Sequence, residues 1–384
     1  MKILSQLFLL ATAIISSVYT LQFNSSGYFT IVQFTDVHIS TNQVKNNLTQ
    51  ELQRNILSWV KPDLVVLSGD GVYTSDPVAS GWFEDQWNKF TAPMVEAQIP
   101  YAYTFGNHDD EGDLTRRQIV RLDQTNPYSL RNESEGIPDT ANFRLPVYAS
   151  QNDSQLAAHL WVLDSGAYGC EDVTVGSGCI ESDVIDWYDE ESQKIKAEHG
   201  TNVHHLAYFH IPLPEFLNLY NDEKFYGHAP EKIHCAVKNT GFFEAVKKNG
   251  DISAMFVGHD HNNDFGGWYD GVELAYGRKS GYNTYGDRHG ARVVVLKENY
   301  DDNGNFVNVT REHYVIDENG NIQVPILSES REGAKQTSCP YSTEVYSSTS
   351  SGESAGSLSS SAGDSLFSQL QKIMLALLVV LCFL

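Results

Sequence analysis

The chain has 384 residues, with 26 Lys and Arg against 49 Asp and Glu and a formal net charge of −23. That excess of negative charge disfavours a nucleic-acid or anionic-membrane partner held by general electrostatics, and no Lys/Arg-rich run offsets it. An anionic substrate would need local positive charge, which bound metal can supply.

Both ends read as processing signals. Met1-Lys2 followed by the apolar run Ile3 to Val18 predicts a secretory signal peptide over 1–20. The final apolar run, Ile373 to Leu384, is shorter than the roughly 20 residues of a spanning helix. It follows the small residues Ser360-Ser361-Ala362-Gly363 and a polar spacer, so 363–384 is expected to be a GPI-attachment signal, with a retained tail anchor as the alternative. Residues 342–362 are Ser-rich and read as a flexible stalk, which leaves 21–341 for one large domain. Setting aside Cys382 in the tail, Cys170, Cys179, Cys235 and Cys339 favour disulfides in an exported chain, with Cys170–Cys179 the pairing expected across a Gly-rich loop. Sequons at Asn24, Asn47, Asn132, Asn152 and Asn308 suit the secretory pathway and the cell surface.

Within the domain, Tyr28 to Phe34 is a β-branched and aromatic run that predicts a strand, ending in Asp36-Val37-His38. Leu48, Leu52, Ile56 and Val60 recur at helical spacing, and Pro62 closes that helix. Asp63 to Leu67 predicts a second buried strand, leading to Gly69-Asp70-Gly71. This is a βαβ unit, whose strand tips gather where open α/β sheets place their ligands. Phe83, Trp87, Phe90 and Met94 form a helical stripe read as core. Ile99 to Thr104 predicts a strand opening into Phe105-Gly106-Asn107-His108-Asp109, where Gly106 is expected to permit a turn. Asp113 is expected to cap a helix over Leu114 to Leu122, and Asn132 to Asn142 to form a surface loop.

Leu160 to Leu163 reads as a strand ending at Asp164, and Val184 to His199 as an exposed, charged helix. Asn202 to Phe209 predicts a strand ending in His210, with structural roles expected for His204 and His205. Ile252 to Val257 opens into Gly258-His259-Asp260-His261. Val272 to Tyr276, Ala291 to Leu296 and His313 to Ile316 suggest an antiparallel continuation, with Tyr276, Tyr282 and Tyr285 as an aromatic rim. The spacing of Asp36 with His38, and of His259 with His261, would place each pair on one face of extended backbone.

Five strand-end clusters thus supply Asp36, His38, Asp70, Asn107, His108, His210, His259 and His261. Mixed oxygen and nitrogen donors suit Mn, Fe or Zn, and so many groups exceed the needs of one ion. In their order these clusters resemble the calcineurin-like metallophosphoesterase superfamily, whose motifs run Asp-x-His, Gly-Asp, Gly-Asn-His-Asp/Glu, His and Gly-His-x-His. The resemblance spans Tyr28 to Ile316. It looks closest to the compact purple-acid-phosphatase-like branch of plants and fungi, on Pro93 to Ala97, Gly106 to Thr115, His210 to Phe216 and Gly258 to Phe265.

The resemblance implies an α/β fold, a four-layer α/β/β/α sandwich with two mixed sheets. It implies one metal held by Asp36, His38 and His261, another by Asn107, His210 and His259, and Asp70 bridging them. His108 would face the leaving group as general acid, with Asp109 or Asp164 orienting its imidazole. The paired metals would neutralise phosphate charge and acidify the attacking water. The expected activity is hydrolysis of a phosphomonoester; a phosphodiesterase acting on lipid headgroups or nucleotides, and a silent surface binding module, are the alternatives. Substrate choice would rest on the loops Tyr128 to Phe143 and Leu217 to His234. Tyr73 departs from the Asp-x-His pattern: purple acid phosphatases pair a ligating Tyr at this place with Asp-x-Gly, and here His38 is kept. Tyr73 is expected to be a neighbouring aromatic, not a ligand.

Overall fold

The computed structural model describes residues 19–131, 136–137, 140–222, 224–328 and 335–339. Apart from Tyr19 and Thr20, the expected signal peptide, stalk and GPI signal lie outside these residues, as does the Asn132 sequon. No helix among the described residues is long and apolar enough to cross a membrane.

Two sheets carry the fold. One orders its strands Ile322–Gln323, Phe306–Asp317, Gly290–Tyr300, Tyr28–Phe34, Leu64–Ser68 and Tyr101–Thr104. Its last three strands run parallel and the rest antiparallel. The other sheet is centred on Asn152–Val162, His204–Tyr208, Ile252–Val257 and Val272–Tyr276, all parallel. Leu21–Gln22 and Phe143–Ala149 extend it on one side, and Gly266–Tyr269, Phe225–Tyr226 and Leu327–Ser328 on the other.

Apolar residues alternate in and out of these sheets and so create three cores. Ile31, Leu64 and Ala102 from one sheet meet Leu160, Leu206, Ala254 and Ala275 from the other between the layers. On the outer face of the first sheet, Val32, Val65 and Tyr103 pack against Leu52 and Ile56 of helix Gln43–Val60 and Phe83, Trp87 and Met94 of helix Trp82–Ala97. On the outer face of the second, Trp161, Ala207 and Met255 pack with Tyr188 of helix Ser182–His199, Phe216 of Pro214–Asp222 and Val246 of Phe242–Asn249. The result is the expected α/β/β/α sandwich.

Several local expectations change. In helix Gln43–Val60 the buried stripe begins at Asn46 and Thr49, whereas Leu48 is exposed. Asp113 does not cap the following helix. Thr115 does so, in a capping box with Gln118, while Asp113 accepts from Gly81 N and Phe83 N at the start of Trp82–Ala97. Val272–Tyr276 pairs parallel with Ile252–Val257 on one side and antiparallel with Gly266–Tyr269 on the other, while Gly290–Tyr300 and Phe306–Asp317 continue the first sheet antiparallel. Helix Ser182–His199 is not merely exposed, since it buries Val184, Tyr188 and Ile195. The Cys170–Cys179 disulfide is present, and Cys235 pairs with Cys339. The described sequons, Asn24, Asn47, Asn152 and Asn308, are all exposed.

Candidate metal centre

Parallel strands of one sheet share a direction, so the loops leaving their carboxyl ends gather on one edge, and here the edges of both sheets meet. Tyr28–Phe34 delivers Asp36 and His38, Leu64–Ser68 delivers Asp70, and Tyr101–Thr104 delivers Asn107 and His108. His204–Tyr208 delivers His210, and Ile252–Val257 delivers His259 and His261. Extended backbone does not place these pairs, contrary to the sequence expectation. Asp36, His38, Asp70 and His259 all adopt positive φ, at 53°, 51°, 53° and 81°. Non-glycine residues hold that conformation at a cost the surrounding structure must offset, and such outliers gather at functional sites. The reason for Gly106 also changes: φ is not positive there, but a Cβ would collide with the main-chain N and carboxylate of Asp70. Gly258 meets the same constraint against Thr35 and Asp36.

The side chains then converge. Nε2 of His38 and Nε2 of His261 stand 3.1 Å apart. His38 Nε2 is 3.5 Å from Asp70 Oδ2, and His261 Nε2 is 3.4 Å from Asp36 Oδ1. These four residues form a group with the donor set and spacing to hold a divalent metal ion. Alongside, His210 Nε2 lies 3.2 Å from Asp70 Oδ2 and 3.9 Å from Asp36 Oδ1 without forming a hydrogen bond. Its Nδ1 donates to the Ser68 carbonyl at 2.9 Å, which turns Nε2 toward the cluster. The His259 ring sits 5.3 Å from that of His210, and the buried Asn107 Oδ1 has no hydrogen-bond partner.

Burial would raise Asp36 and Asp70, but the surrounding imidazoles outweigh it and hold both carboxyls below their usual range. Burial lowers His259 to about 4, whereas at His210 the neighbouring Asp70 overrides burial and raises it to about 10. His38 is pushed down by burial and by the Lys279 charge.

His108 stands apart from this group. Its main-chain N donates to Asp70 Oδ1 at 2.9 Å, and its half-exposed ring pairs through Nδ1 with Glu111 Oε1 at 2.5 Å. Burial would lower His108, but Asp70 and Glu111 together raise it to about 9. Neither carboxylate proposed from the sequence orients this ring. Asp109 accepts from the main-chain N–H groups of Gly106, Asp70, Gly71 and Val72, so it joins two ligand loops. Asp164 takes both oxygens to Arg116 Nη1, whose Nη2 donates to the Gly106 carbonyl. Glu111 had no motif to mark it; its only sequence signal was a place three residues beyond His108.

The calcineurin-like phosphoesterase family matches residues 29–263. The chain belongs to that family. As a member it is a hydrolase of phosphoric ester bonds. It is 32% identical over 316 residues to "Probable inactive purple acid phosphatase 29" of Arabidopsis thaliana, covering 73% of this chain and 79% of the relative. It is 30% identical over 284 residues to "Phosphatase DCR2" of Saccharomyces cerevisiae, covering 64% of this chain and 46% of that protein. In fold it is similar to a dimetal phosphatase from Danio rerio, with a TM-score of 0.52, 12% identity, and coverage of 78% of this chain and 98% of the other.

The phosphoesterase site has a smaller aromatic wall than the sequence suggested. Tyr276 is fully buried and donates to Asp260 Oδ2 at 2.7 Å, so it is not on the rim. Tyr282 packs on His289 with ring centroids 4.0 Å apart and turns its hydroxyl to Glu318. Tyr285 does reach the site, stacked on His261 at 4.1 Å with its hydroxyl on Glu231. Tyr73 stands edge-on to both His38 and His108. A second acid–histidine group, Glu231, His234 and Asp260, is closed by its own bonds: Asp260 takes His234 on one oxygen and Tyr276 on the other.

Proposed function

We propose that this phosphoesterase hydrolyses a phosphomonoester, with Asp36, His38 and His261 holding one metal ion, Asn107, His210 and His259 a second, and Asp70 serving both. The observation that carries the reading is the convergence of nitrogen and oxygen donors from both sheets, with Asn107 Oδ1 and His210 Nε2 buried and without hydrogen bonds. Other buried atoms also lack a partner, Trp87 Nε1 and Tyr208 Oη among them; these two differ in belonging to the loops that carry the carboxylate and imidazole cluster, where a cation would complete them. Fe, Mn and Zn suit the donor set.

Bound there, two such ions would neutralise phosphate charge and acidify the attacking water. The chain's own part is orientation and proton transfer. Asp109 fixes the Asp70 and Asn107 loops relative to each other through its four main-chain bonds. His108, held by Glu111, keeps a proton into the alkaline range and gives it to the departing alkoxide as general acid. The Arabidopsis relative is named probable inactive; activity in this chain is argued from its own sequence, which carries all eight motif residues.

The exposed sequons and the two disulfides support export and glycosylation, and the C-terminal signal supports a lipid anchor at the cell surface. Purified protein should cleave nitrophenyl phosphate faster than bis-nitrophenyl phosphate. A preference for the diester would overturn the monoester assignment, and cleavage of neither would overturn the activity.

A further inference from the structure

Lys279 is a charged side chain that none of the motifs includes, yet it is only 1% exposed. It lies three residues beyond strand Val272–Tyr276, and its backbone bridges Thr35 of the other sheet, where Ser280 N donates to Thr35 O at 2.9 Å. A buried ammonium is costly unless its protons are engaged. Here Nζ donates to the main-chain carbonyl of Asp36 at 3.2 Å and to Thr284 Oγ1 at 3.0 Å.

Both acceptors belong to the metal group's supports. The Asp36 carbonyl is part of a backbone held at φ 53°. Thr284, itself at φ 61°, places Oγ1 3.3 Å from His261 Nδ1. The next residue supplies the Tyr285 carbonyl, 3.1 Å from the same nitrogen, and the ring that stacks on His261. One ammonium therefore ties a strained ligand to the loop that sets the tautomer and direction of another. Partners in this position usually change metal affinity about 10–100-fold when removed.

We propose that Lys279 is a positioning residue for the metal subsite of Asp36, His38 and His261, and acts little on that of Asn107, His210 and His259. The inference rests on the two-metal reading above. A residue that merely fastened the two sheets would affect both subsites alike.

The test compares the full chain with Lys279→Met and Thr284→Val, each stripped of metal and retitrated with Mn²⁺ while ion stoichiometry, affinity and the metal-free Tm are recorded. Lys279→Met should keep one ion at wild-type affinity and weaken the other about 10–100-fold. Thr284→Val, which removes one hydroxyl, should weaken the same ion by a smaller factor. Two ions bound at wild-type affinity in Lys279→Met, or equal weakening of both, would overturn the proposal. If Lys279→Met does not fold, Thr284→Val decides alone: selective weakening supports the role and unchanged affinities overturn it. A wild-type chain that takes up fewer than two ions contradicts the two-metal reading itself, and this inference with it.

Discussion

Strand His204–Tyr208 has a buried histidine near each end, and the two are used in opposite ways. At its amino end, His205 Nδ1 accepts from Trp161 Nε1 at 3.1 Å, and its ring stacks with His159. His159 in turn faces Arg144 at 3.3 Å, and His204 pairs with Ser253. Beyond its carboxyl end, His210 directs Nε2 at Asp70 and Asp36 without a hydrogen bond. Burial, aided by nearby cations, drives the amino-end rings down, His205 to about 4 against the pull of Asp251 and His204 to about 3. Equal burial at His210 is overridden by carboxylates. Burial therefore does not separate a core histidine from one proposed as a ligand. What separates them is that His205 Nδ1, although 3.5 Å from Asp251 Oδ2, already accepts from Trp161 Nε1, whereas His210 Nε2 faces two carboxylates with no hydrogen-bond donor at it.

Removing Asp70, the carboxylate proposed to serve both ions, should break the carboxyl-end group most completely. Asp70→Asn should lose bound metal and fall to background hydrolysis; full occupancy with unchanged turnover would contradict its place between the two ions. His108→Ala should come next. It should keep both metals yet lose about 10²–10⁴ in rate on an alkyl phosphate. The loss on a nitrophenyl ester, whose leaving group needs little protonation, should be much smaller. Equal losses on the two substrates would mean that His108 binds phosphate and does not donate a proton.

Glu111→Gln sharpens the same point with a smaller effect on the alkyl substrate. A general acid works while protonated, so its activity falls as pH rises through its pKa. Glu111 and Asp70 raise His108, and neutralising Glu111 lowers it, so the alkaline limb of kcat should move to lower pH. An unmoved limb would show that the 2.5 Å contact is only structural.

Sequence made the site legible because its residues lie next to long apolar runs. Tyr28–Phe34, Ile252–Val257 and Val272–Tyr276 match their predicted bounds, and all eight motif residues stand at strand ends. Interactions between distant segments were not legible. Asp113 caps a helix that starts some thirty residues earlier, and Tyr276 turns inward because Asp260 accepts its hydroxyl. Of the hairpin Phe143–Ala149 and Asn152–Val162 only the apolar end from Leu160 was read as a strand, because the start of that strand is polar and exposed. Lys279 carried no signal at all, since nothing local tells a lysine that it will be buried.

The amino-end group offers the mildest prediction. Those histidines stay neutral in the folded chain, while in the unfolded chain they protonate near 6.5. For His205 the stability is therefore complete above about pH 6.5 and declines as pH falls toward 4. Melting should show a loss of roughly 2–4 °C per pH unit for each such group. His205→Gln, which keeps an acceptor for Trp161 Nε1, should flatten that slope without altering metal content. An unchanged slope would contradict the assignment of His205 as a neutral core residue.

The contrast between the two ends is tested most directly by anomalous diffraction from crystals of the protein grown with Mn²⁺. Two scatterers should appear, both in contact with Asp70, one also touching Asp36, His38 and His261 and the other Asn107 Oδ1, His210 and His259. One scatterer or none at Asp70, or a peak on His159, His204 or His205, would contradict the account.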